Sequence, residues 1–346
     1  MTAAAEQIVR HVRVGDRTVA WAAVGSGPPL VIGGWWASHV ALNWEDRAFR
    51  TFVQALAQRH TIIRYDRPGT GLSDRDGPAP LSLDDELAVL VGFLEQIDQP
   101  HVSVLGASAG SAVASSYAAE HPERVDRLVL FGAYARGTDI ASPSARELMV
   151  SVVERHWGLG ARVLADVFLP NGTAEDREQF AKFQRRSASR DAASKALSAV
   201  YERDSTEQLT SVRTPTLVLH RRHDRAIPFA LGREVAELVP GSTFVELAGD
   251  DHFPWLGDSR AVIEAIDRFL AGLPPSSPPD QHTPAALTAR EREVLLLVAE
   301  GLTDAQIADR LVLSPHTVHR HVANVRTKLG VPSRAAAAAW VLKNQP

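Results

Sequence analysis

The chain has 346 residues, of which 45% are apolar and 23% are charged, and it contains no cysteine. This length predicts one large domain and one small one rather than a single core. The lack of cysteine excludes thiol catalysis, disulfides and cysteine zinc sites, and it fits a reducing compartment. Because the sequence has no 18-residue apolar stretch and no apolar run of signal-peptide length in residues 1–14, we expect a cytoplasmic protein without a membrane partner.

The net charge of −4 is unevenly spread. Residues 287–346 carry eight Lys or Arg and five Asp or Glu, whereas residues 1–286 carry 29 and 36. Residues 311–346 contain no acidic side chain. A small basic segment on an acidic body is typical of a nucleic-acid-binding appendage, although a solvated charged face gives the same counts.

Residues 1–272 alternate short apolar segments with helical ones, which predicts an α/β fold with a parallel sheet covered on both faces. The expected strands are Pro29–Ile32, Thr61–Tyr65, Val102–Leu105, Leu128–Phe131, Thr216–His220 and Thr243–Leu247, with helices such as Leu83–Leu94 and Ala109–Glu120 between them. His11–Val14 and Thr18–Ala23 are expected to pair antiparallel at one edge. Residues of about 135–212 break the alternation and predict a helical cap over the sheet.

Five prolines fall within residues 272–286. Neither a helix nor a central strand tolerates so many prolines. We therefore predict a stiff, extended linker over residues 273–286, which separates a first domain, 1–272, from a second, 287–346.

A candidate nucleophile follows the strand Val102–Leu105, in the segment Gly106-Ala-Ser108-Ala-Gly110. The pattern G-x-S-x-G between a strand and a helix places the serine on a sharp turn, with its hydroxyl above the sheet. The N-terminus of the following helix favours developing negative charge there. We predict that Ser108 is a nucleophile; the alternative is a serine in an ordinary tight turn.

A serine hydroxyl is a weak nucleophile and needs a base, which a carboxylate orients. Asp224 follows the strand Thr216–His220, and His252 follows the strand Thr243–Leu247. Both therefore belong to the sheet edge at which α/β enzymes place their catalytic groups, in the order Ser, Asp, His. Taken singly, these two residues also fit a helix cap and a surface histidine; taken with the serine, they predict a catalytic triad.

Residues 1–272 resemble the α/β-hydrolase superfamily, in this pattern and in the segment Tyr65–Asp74, which reads Y-D-R-P-G-T-G-L-S-D. The resemblance implies an α/β-hydrolase sheet with a helical cap, and it assigns the roles of nucleophile, orienting acid and base to Ser108, Asp224 and His252.

The resemblance also implies an oxyanion hole formed by the backbone N–H groups of Trp35 and Ala109. The oxyanion loop of the family usually reads His-Gly, whereas this chain has Gly33-Gly-Trp-Trp36. The histidine that normally braces the loop is therefore missing.

The histidines of the chain show no metal-ligand spacing, and we predict neither a metal nor a cofactor. Trp35, Trp36 and Trp255 are expected either to line an apolar acyl pocket or to pack in the core.

The last sixty residues predict four short helices with clear start signals. Thr288–Glu291 and Thr303–Gln306 are capping boxes, and Ser314 precedes a proline at the first helical position. Along Pro315–Leu329 one face is apolar, formed by Val318, Val322, Val325 and Leu329. The opposite face shows polar donors and a small residue without a carboxylate, which suits a major groove. A short turn joins this helix to the preceding one, as in a helix-turn-helix with the second helix as reader.

Residues 287–346 closely resemble the LuxR-type helix-turn-helix domain, from L-T-A-R-E-R-E-V at Leu287 to S-P-H-T-V-H-R-H-V-A-N-V-R-T-K-L-G at Ser314. The resemblance implies double-stranded DNA as a partner and a homodimer formed through the last helix. The candidate DNA-binding residues are Thr317, His319, Arg320, Ala323, Asn324 and Lys328.

Together these patterns predict a DNA-binding transcription regulator whose hydrolase domain senses a small ester, acyl or lactone-like molecule. One alternative is a working serine esterase or lactonase whose DNA-binding domain serves local or autogenous control. Another is that residues 287–346 form a protein-docking module.

Overall fold

The computed structural model describes residues 7–33, 35–75, 82–274, 287–311, 313–329, 331 and 333–344. The chain divides into two compact units, Met1–Pro275 and Ser276–Pro346. From residue 275 onward, the expected linker lies outside the described residues.

The first unit is built on one sheet. Its strands within the described residues are β1 (Ile8–Val14), β2 (Arg17–Val24), β3 (Pro29–Gly33), β4 (Thr61–Tyr65), β5 (Val102–Ala107), β6 (Val125–Phe131), β7 (Thr216–Arg221) and β8 (Thr243–Leu247). Their order is β1-β2-β4-β3-β5-β6-β7-β8. The expected edge pair is antiparallel, as is the contact of β2 with β4, and the other pairings are parallel.

The helices of this unit form two covering layers and a cap. They are α1 (Val40–Glu45), α2 (Arg47–Leu56), α3 (Leu83–Gln96), α4 (Gly110–Glu120), α5 (Pro143–Arg155), α6 (Trp157–Phe168), α7 (Ala174–Ser187), α8 (Arg190–Glu202), α9 (Thr206–Ser211), α10 (Phe229–Leu238) and α11 (Ser259–Leu270). Alternate strand residues point to opposite faces, so Val31 and Val104 pack with α3, α4 and α10, while Leu30 and Leu105 pack with α2 and α11.

The segment between β6 and β7 forms the cap. Helices α5 to α8 bury an apolar cluster of their own around Val153, Trp157 and Leu164. The cap therefore carries its own small core and does not only borrow packing from the sheet.

Six strands, β1, β2, β3, β5, β6 and β7, are longer than the sequence predicted, and β6 and β7 show why. β6 begins at Val125 and so includes the polar Asp126 and Arg127. β7 continues to Arg221. Strand pairing with neighbours tolerates polar side chains that the apolar pattern excluded.

The second unit consists of α12 (Ala289–Ala299), α13 (Asp304–Leu311), α14 (Pro315–Leu329) and α15 (Arg334–Asn344). Thr288 and Glu291 form the expected capping box. The inward residues of α14 are buried. Val318 and Val322 pack against α12 and α13, and Val325 packs against α12 and α15. Among the described residues, no helix has the length and apolar character needed to cross a membrane.

Candidate functional site

Ser108 lies on a strained turn directly after β5. Its φ of 51° is in the left-handed region, which a residue other than glycine adopts only when its surroundings require it. The backbone N–H of Ser108 donates to the carbonyl of Phe131 at 2.9 Å. A Cβ at Gly106 would lie 2.6 Å from the Cβ of Ala114, so the turn needs glycine there to let α4 approach. These contacts hold Ser108 at the carboxyl edge of the sheet.

Asp224 and His252 meet at the same edge. The Nδ1 of His252 lies 2.9 Å from Oδ2 of Asp224, and both side chains are buried. The second carboxylate oxygen, Oδ1, accepts from the N–H groups of Ala226 and Ile227 at 2.8 and 3.2 Å. Burial alone raises the pKa of Asp224, but its attraction to His252 and the hydrogen bonds outweigh that effect and leave the pKa lowered. The carboxylate therefore stays ionised beside the imidazole.

Ser108 and His252 both line one small chamber of about 20 Å³. Its other walls come from the oxyanion side, the histidine loop and the cap, and they include Trp35, Trp36, Phe168 and Phe253. A volume of this size holds about one water molecule. Trp35 and Trp36 line this chamber, whereas Trp255 packs edge-on against Trp35 and Phe49 and lines a wider cleft of about 940 Å³.

The cap covers the imidazole. The ring of Phe168, at the end of α6, stacks on His252 with 5.3 Å between ring centroids and an interplanar angle of 20°. Phe168 also packs against Phe180 and Phe253. This aromatic cluster lies between the chamber and a wider cleft of about 940 Å³, whose wall also includes Phe180 and Phe253.

The expected oxyanion donors lie near this chamber. Trp35 and Ala109 are both buried, and within the described part of the chain neither backbone N–H donates to a protein acceptor. Ala109 directly follows Ser108 and precedes α4. Two N–H groups that are free of protein acceptors suit the stabilisation of a developing oxyanion.

Sequence reasoning missed one residue that lies against the base and another that holds its loop. Gly132, at φ 56°, follows β6, and a Cβ there would lie 3.4 Å from Cε1 of His252. Arg221 at the end of β7 is 1% exposed, and its guanidinium donates to the carbonyls of Asp251, Phe253 and Leu256 at 2.5–2.7 Å. Burial lowers the pKa of Arg221, and nearby carboxylates led by Asp251 oppose that effect. The signal in the sequence was an arginine directly after the predicted strand Thr216–His220.

The candidate DNA-binding residues lie on α14 of the second unit. His319, Arg320, Ala323 and Asn324 are exposed, and Thr317 is half-buried with its hydroxyl 2.8 Å from that of Ser314. The outer face of α14 is therefore open within its own unit, as a reading helix requires.

Two of these residues also have acidic neighbours. The ammonium of Lys328 donates to Glu291, which is itself part of the capping box of α12. The Nδ1 of His319 lies 3.4 Å from Asp304, the carboxylate that also pairs with Arg334. Any contact of Lys328 with a phosphate would therefore compete with an ion pair inside the unit.

Two family models match the chain. The model described as "alpha/beta hydrolase fold" matches residues 30–258, and the model described as "Bacterial regulatory proteins, luxR family" matches residues 285–341.

The relatives and solved structures are similar to about three quarters of the chain. The pimeloyl-[acyl-carrier protein] methyl ester esterase of Xanthomonas oryzae pv. oryzae is 30% identical over 263 residues, covering 72% of this chain and 98% of that protein. The pyrrolizixenacetamide deacetylase of Xenorhabdus hominickii is 26% identical over 267 residues, covering 76% and 98%. The crystal structure of the enol-lactonase from Burkholderia xenovorans LB400 superimposes with a TM-score of 0.62 at 23% identity, covering 76% of this chain and all of that one.

Proposed function

We propose, from the premise that this chain belongs to the α/β hydrolase fold family and carries a luxR-family DNA-binding domain, that it is a transcription regulator which senses a small acyl ester through Ser108. One observation carries the proposal. The strained Ser108 lines the same chamber as His252, which is bound to a buried carboxylate, in a chain that also has an exposed helix-turn-helix reading face.

The proposed chemistry follows from the roles of these three side chains. The oxygen of Ser108 attacks the carbonyl carbon of an ester while its proton passes to Nε2 of His252. Asp224 holds the imidazole through Nδ1 and stabilises its positive charge. The N–H groups of Trp35 and Ala109 bind the oxyanion, the alcohol leaves with the proton from His252, and an acyl group remains on Ser108. Water then releases the acid by the same route.

An ester or related acyl compound is the ligand class that fits. The esterase and the deacetylase among the relatives are named for acyl cleavage. The chamber holds about one water, and Phe168 covers the imidazole, so a ligand must displace the cap side before it reaches Ser108. A covered chamber of this size suits the sensing of a ligand better than rapid turnover.

Labelling with a fluorophosphonate and turnover of p-nitrophenyl acetate test the hydrolase side. We expect the full chain to be modified at Ser108 and the Ser108→Ala variant to remain unmodified, with ester turnover that is slow in comparison with labelling. Rapid turnover of short esters would instead support the working esterase or lactonase. A full chain that resists labelling would refute the proposed role of Ser108.

The second unit is proposed to bind double-stranded DNA as a homodimer in the cytoplasm. Arg320→Ala removes an exposed cation from the reading helix, and we expect binding to the upstream region of the protein's own gene to weaken by about 1–3 kcal/mol, or roughly 5- to 150-fold. Arg292→Ala on α12, also exposed, is the matched control. A mobility shift measured at two salt concentrations gives both the affinity and the expected salt dependence. No shift at either concentration would favour a protein-docking module.

A further inference from the structure

The residue after the proposed oxyanion donor Trp35 is held from two directions. The carbonyl of Trp36 accepts from Nη2 of Arg67 at 3.2 Å. Its indole ring packs edge-on against Trp157, the first residue of cap helix α6, with centroids 6.0 Å apart. The position of Trp36 limits the backbone of Trp35, so both contacts affect where the N–H of Trp35 points. One contact comes from the core and the other comes from the cap.

A buried carboxylate joins the core contact to the cap as well. Nη1 of Arg67 lies 3.1 Å from both carboxylate oxygens of Glu86 on α3, and Nη2 of Arg203 lies 2.9 Å from Oε1 of the same group. Arg203 is the C-cap residue that directly follows cap helix α8. All three side chains are less than 10% exposed. Charged hydrogen bonds in such surroundings are strong, and loss of one partner displaces the others.

Helix α6 touches both halves of the active site. Trp157 and Phe168 are eleven residues apart, which is about three turns or 16 Å, and so they lie on the same face of the helix. Trp157 contacts Trp36 on the oxyanion side, and Phe168 stacks on His252 on the base side. A ligand that displaces Phe168 therefore pushes on the same helix that packs against Trp36.

We propose that Glu86 is a positioning residue that couples the cap to the oxyanion hole. With the cap seated, Glu86 holds Arg67 and Arg203 together, Arg67 holds the carbonyl of Trp36, and the N–H of Trp35 is kept at the chamber. When the cap moves, Arg203 leaves the carboxylate, the hold on Trp36 weakens and Ser108 reacts more slowly. This inference rests on the proposed reactivity of Ser108 and adds its regulation by the cap.

The decisive variant is Arg203→Met, because it removes the guanidinium that links the cap to Glu86 and leaves the side chains of Arg67 and Glu86 themselves unsubstituted. We expect the rate of Ser108 modification by fluorophosphonate in the full chain to fall about tenfold. In p-nitrophenyl acetate hydrolysis, kcat should fall while KM stays within about twofold, because an oxyanion donor acts in the transition state.

Two variants on the core side extend the test. Glu86→Gln removes the bridging charge, and Arg67→Lys keeps the charge but cannot serve both the carboxylate and the carbonyl of Trp36. Each should slow the modification by about 10- to 100-fold. Arg203→Met added to Glu86→Gln should slow it no further than Glu86→Gln alone, because the two act through one network. If Glu86→Gln does not fold, the modification rates of Arg67→Lys and Arg203→Met test the proposal without it.

Glu234→Gln is the matched control. Glu234 lies on α10 and forms an ion pair with Arg136 of the cap segment, away from Trp36. Its modification rate should equal that of the unaltered protein. The proposal is overturned if Arg203→Met and Arg67→Lys only lower the melting temperature and react at the normal rate, or if Glu234→Gln slows the reaction equally. If the unaltered chain itself is not modified, the proposed function fails first and this inference fails with it.

Discussion

The two sides of the candidate active site are held in different ways. On the base side, the histidine loop is fixed to the sheet: Arg221 at the end of β7 binds three of its carbonyls, and Asp224 orients the imidazole. On the oxyanion side, Trp36 rests on Arg67 and on Trp157, and the second of these belongs to the cap. The base side is therefore held by the sheet and its loops, although the ring of Phe168 covers it from the cap, whereas the oxyanion loop rests partly on a cap helix through Trp36.

This difference assigns the reactivity of the site to the base side and the control of that reactivity to the oxyanion side. The pairing of His252 with Asp224 is made by groups on the sheet and its loops, so under the proposed function the base stays oriented whether or not the cap is seated. An oxyanion loop held partly by the cap changes with cap position, and a sensor needs a part of this kind that differs between its states. Changes on the base side should therefore cost more reactivity than changes on the oxyanion side.

The largest effect is expected from the base side itself. Asp224→Asn keeps the size of the side chain but no longer favours the tautomer and the charge that His252 needs, and we expect ester hydrolysis or Ser108 labelling to fall on the order of 10⁴-fold. Asp250→Asn, on the same loop as the base, should change the rate by less than threefold. A rate that survives Asp224→Asn would show that the carboxylate only caps its own loop.

Arg221→Met tests the clamp, the set of three hydrogen bonds through which Arg221 holds the histidine loop. The variant leaves the carbonyls of Asp251, Phe253 and Leu256 without their donors, which costs about 1–3 kcal/mol for each carbonyl that stays unsatisfied. A shift of the loop by about 1 Å should lower kcat by on the order of 10²-fold.

Arg222→Met is the natural control for the clamp, because Arg222 is the next residue, is half exposed and pairs with Glu246. It should leave both the free energy of unfolding and the rate near their normal values. Equal rates for Arg221→Met and Arg222→Met would mean that the loop keeps its place without the buried guanidinium.

The contacts of Arg221 with the histidine loop were not predicted from the sequence. The sheet, the strand ends that carry Ser108, Asp224 and His252, and the start signals of the C-terminal helices follow from local patterns, and the structure contains them. The oxyanion loop was predicted to lack its usual brace, but nothing local indicated that Arg67 takes hold of it.

Contacts of this kind join residues far apart in the chain. Glu86 meets Arg203 across 117 positions, and Arg221 meets Leu256 across 35. Neither apolar periodicity nor turn chemistry encodes such partners, because they arise only once the sheet and the cap are assembled. Local patterns therefore predict the candidate triad, but they do not predict the side chains that hold it in place.

Phe168→Ala tests the cap side with a smaller effect. Removing the ring enlarges the chamber and uncovers His252, so esters with longer acyl chains should gain relative to acetate by about tenfold, since a methylene is worth about 1–3 kcal/mol in an apolar pocket. Leu159→Ala, an exposed position on the same helix, is the control. The ratio of kcat/KM for p-nitrophenyl butyrate and acetate measures the change. An unaltered ratio would mean that Phe168 does not limit the chamber.

The smallest effect concerns His39, which follows the oxyanion loop and accepts at Nδ1 from the N–H of Leu42 as the N-cap of α1. Burial, followed by the charges of Arg75 and Arg186, lowers the pKa of His39 from 6.5 to about 4. Between these two values the unfolded chain binds a proton that the folded chain does not bind. The free energy of unfolding should therefore decrease as pH falls from 6.5 toward 4, by no more than about 1.4 kcal/mol per pH unit from this group.

His39→Asn keeps a good N-cap acceptor and removes the titrating group. At pH 8 the variant and the unaltered protein should be nearly equally stable, and at pH 5 the variant should be the more stable of the two. Urea unfolding at both pH values measures the difference. If the free energy of unfolding varies with pH in the same way for both proteins, His39 takes up its proton in the fold as readily as in the unfolded chain. The N-cap of α1 would then not oppose protonation.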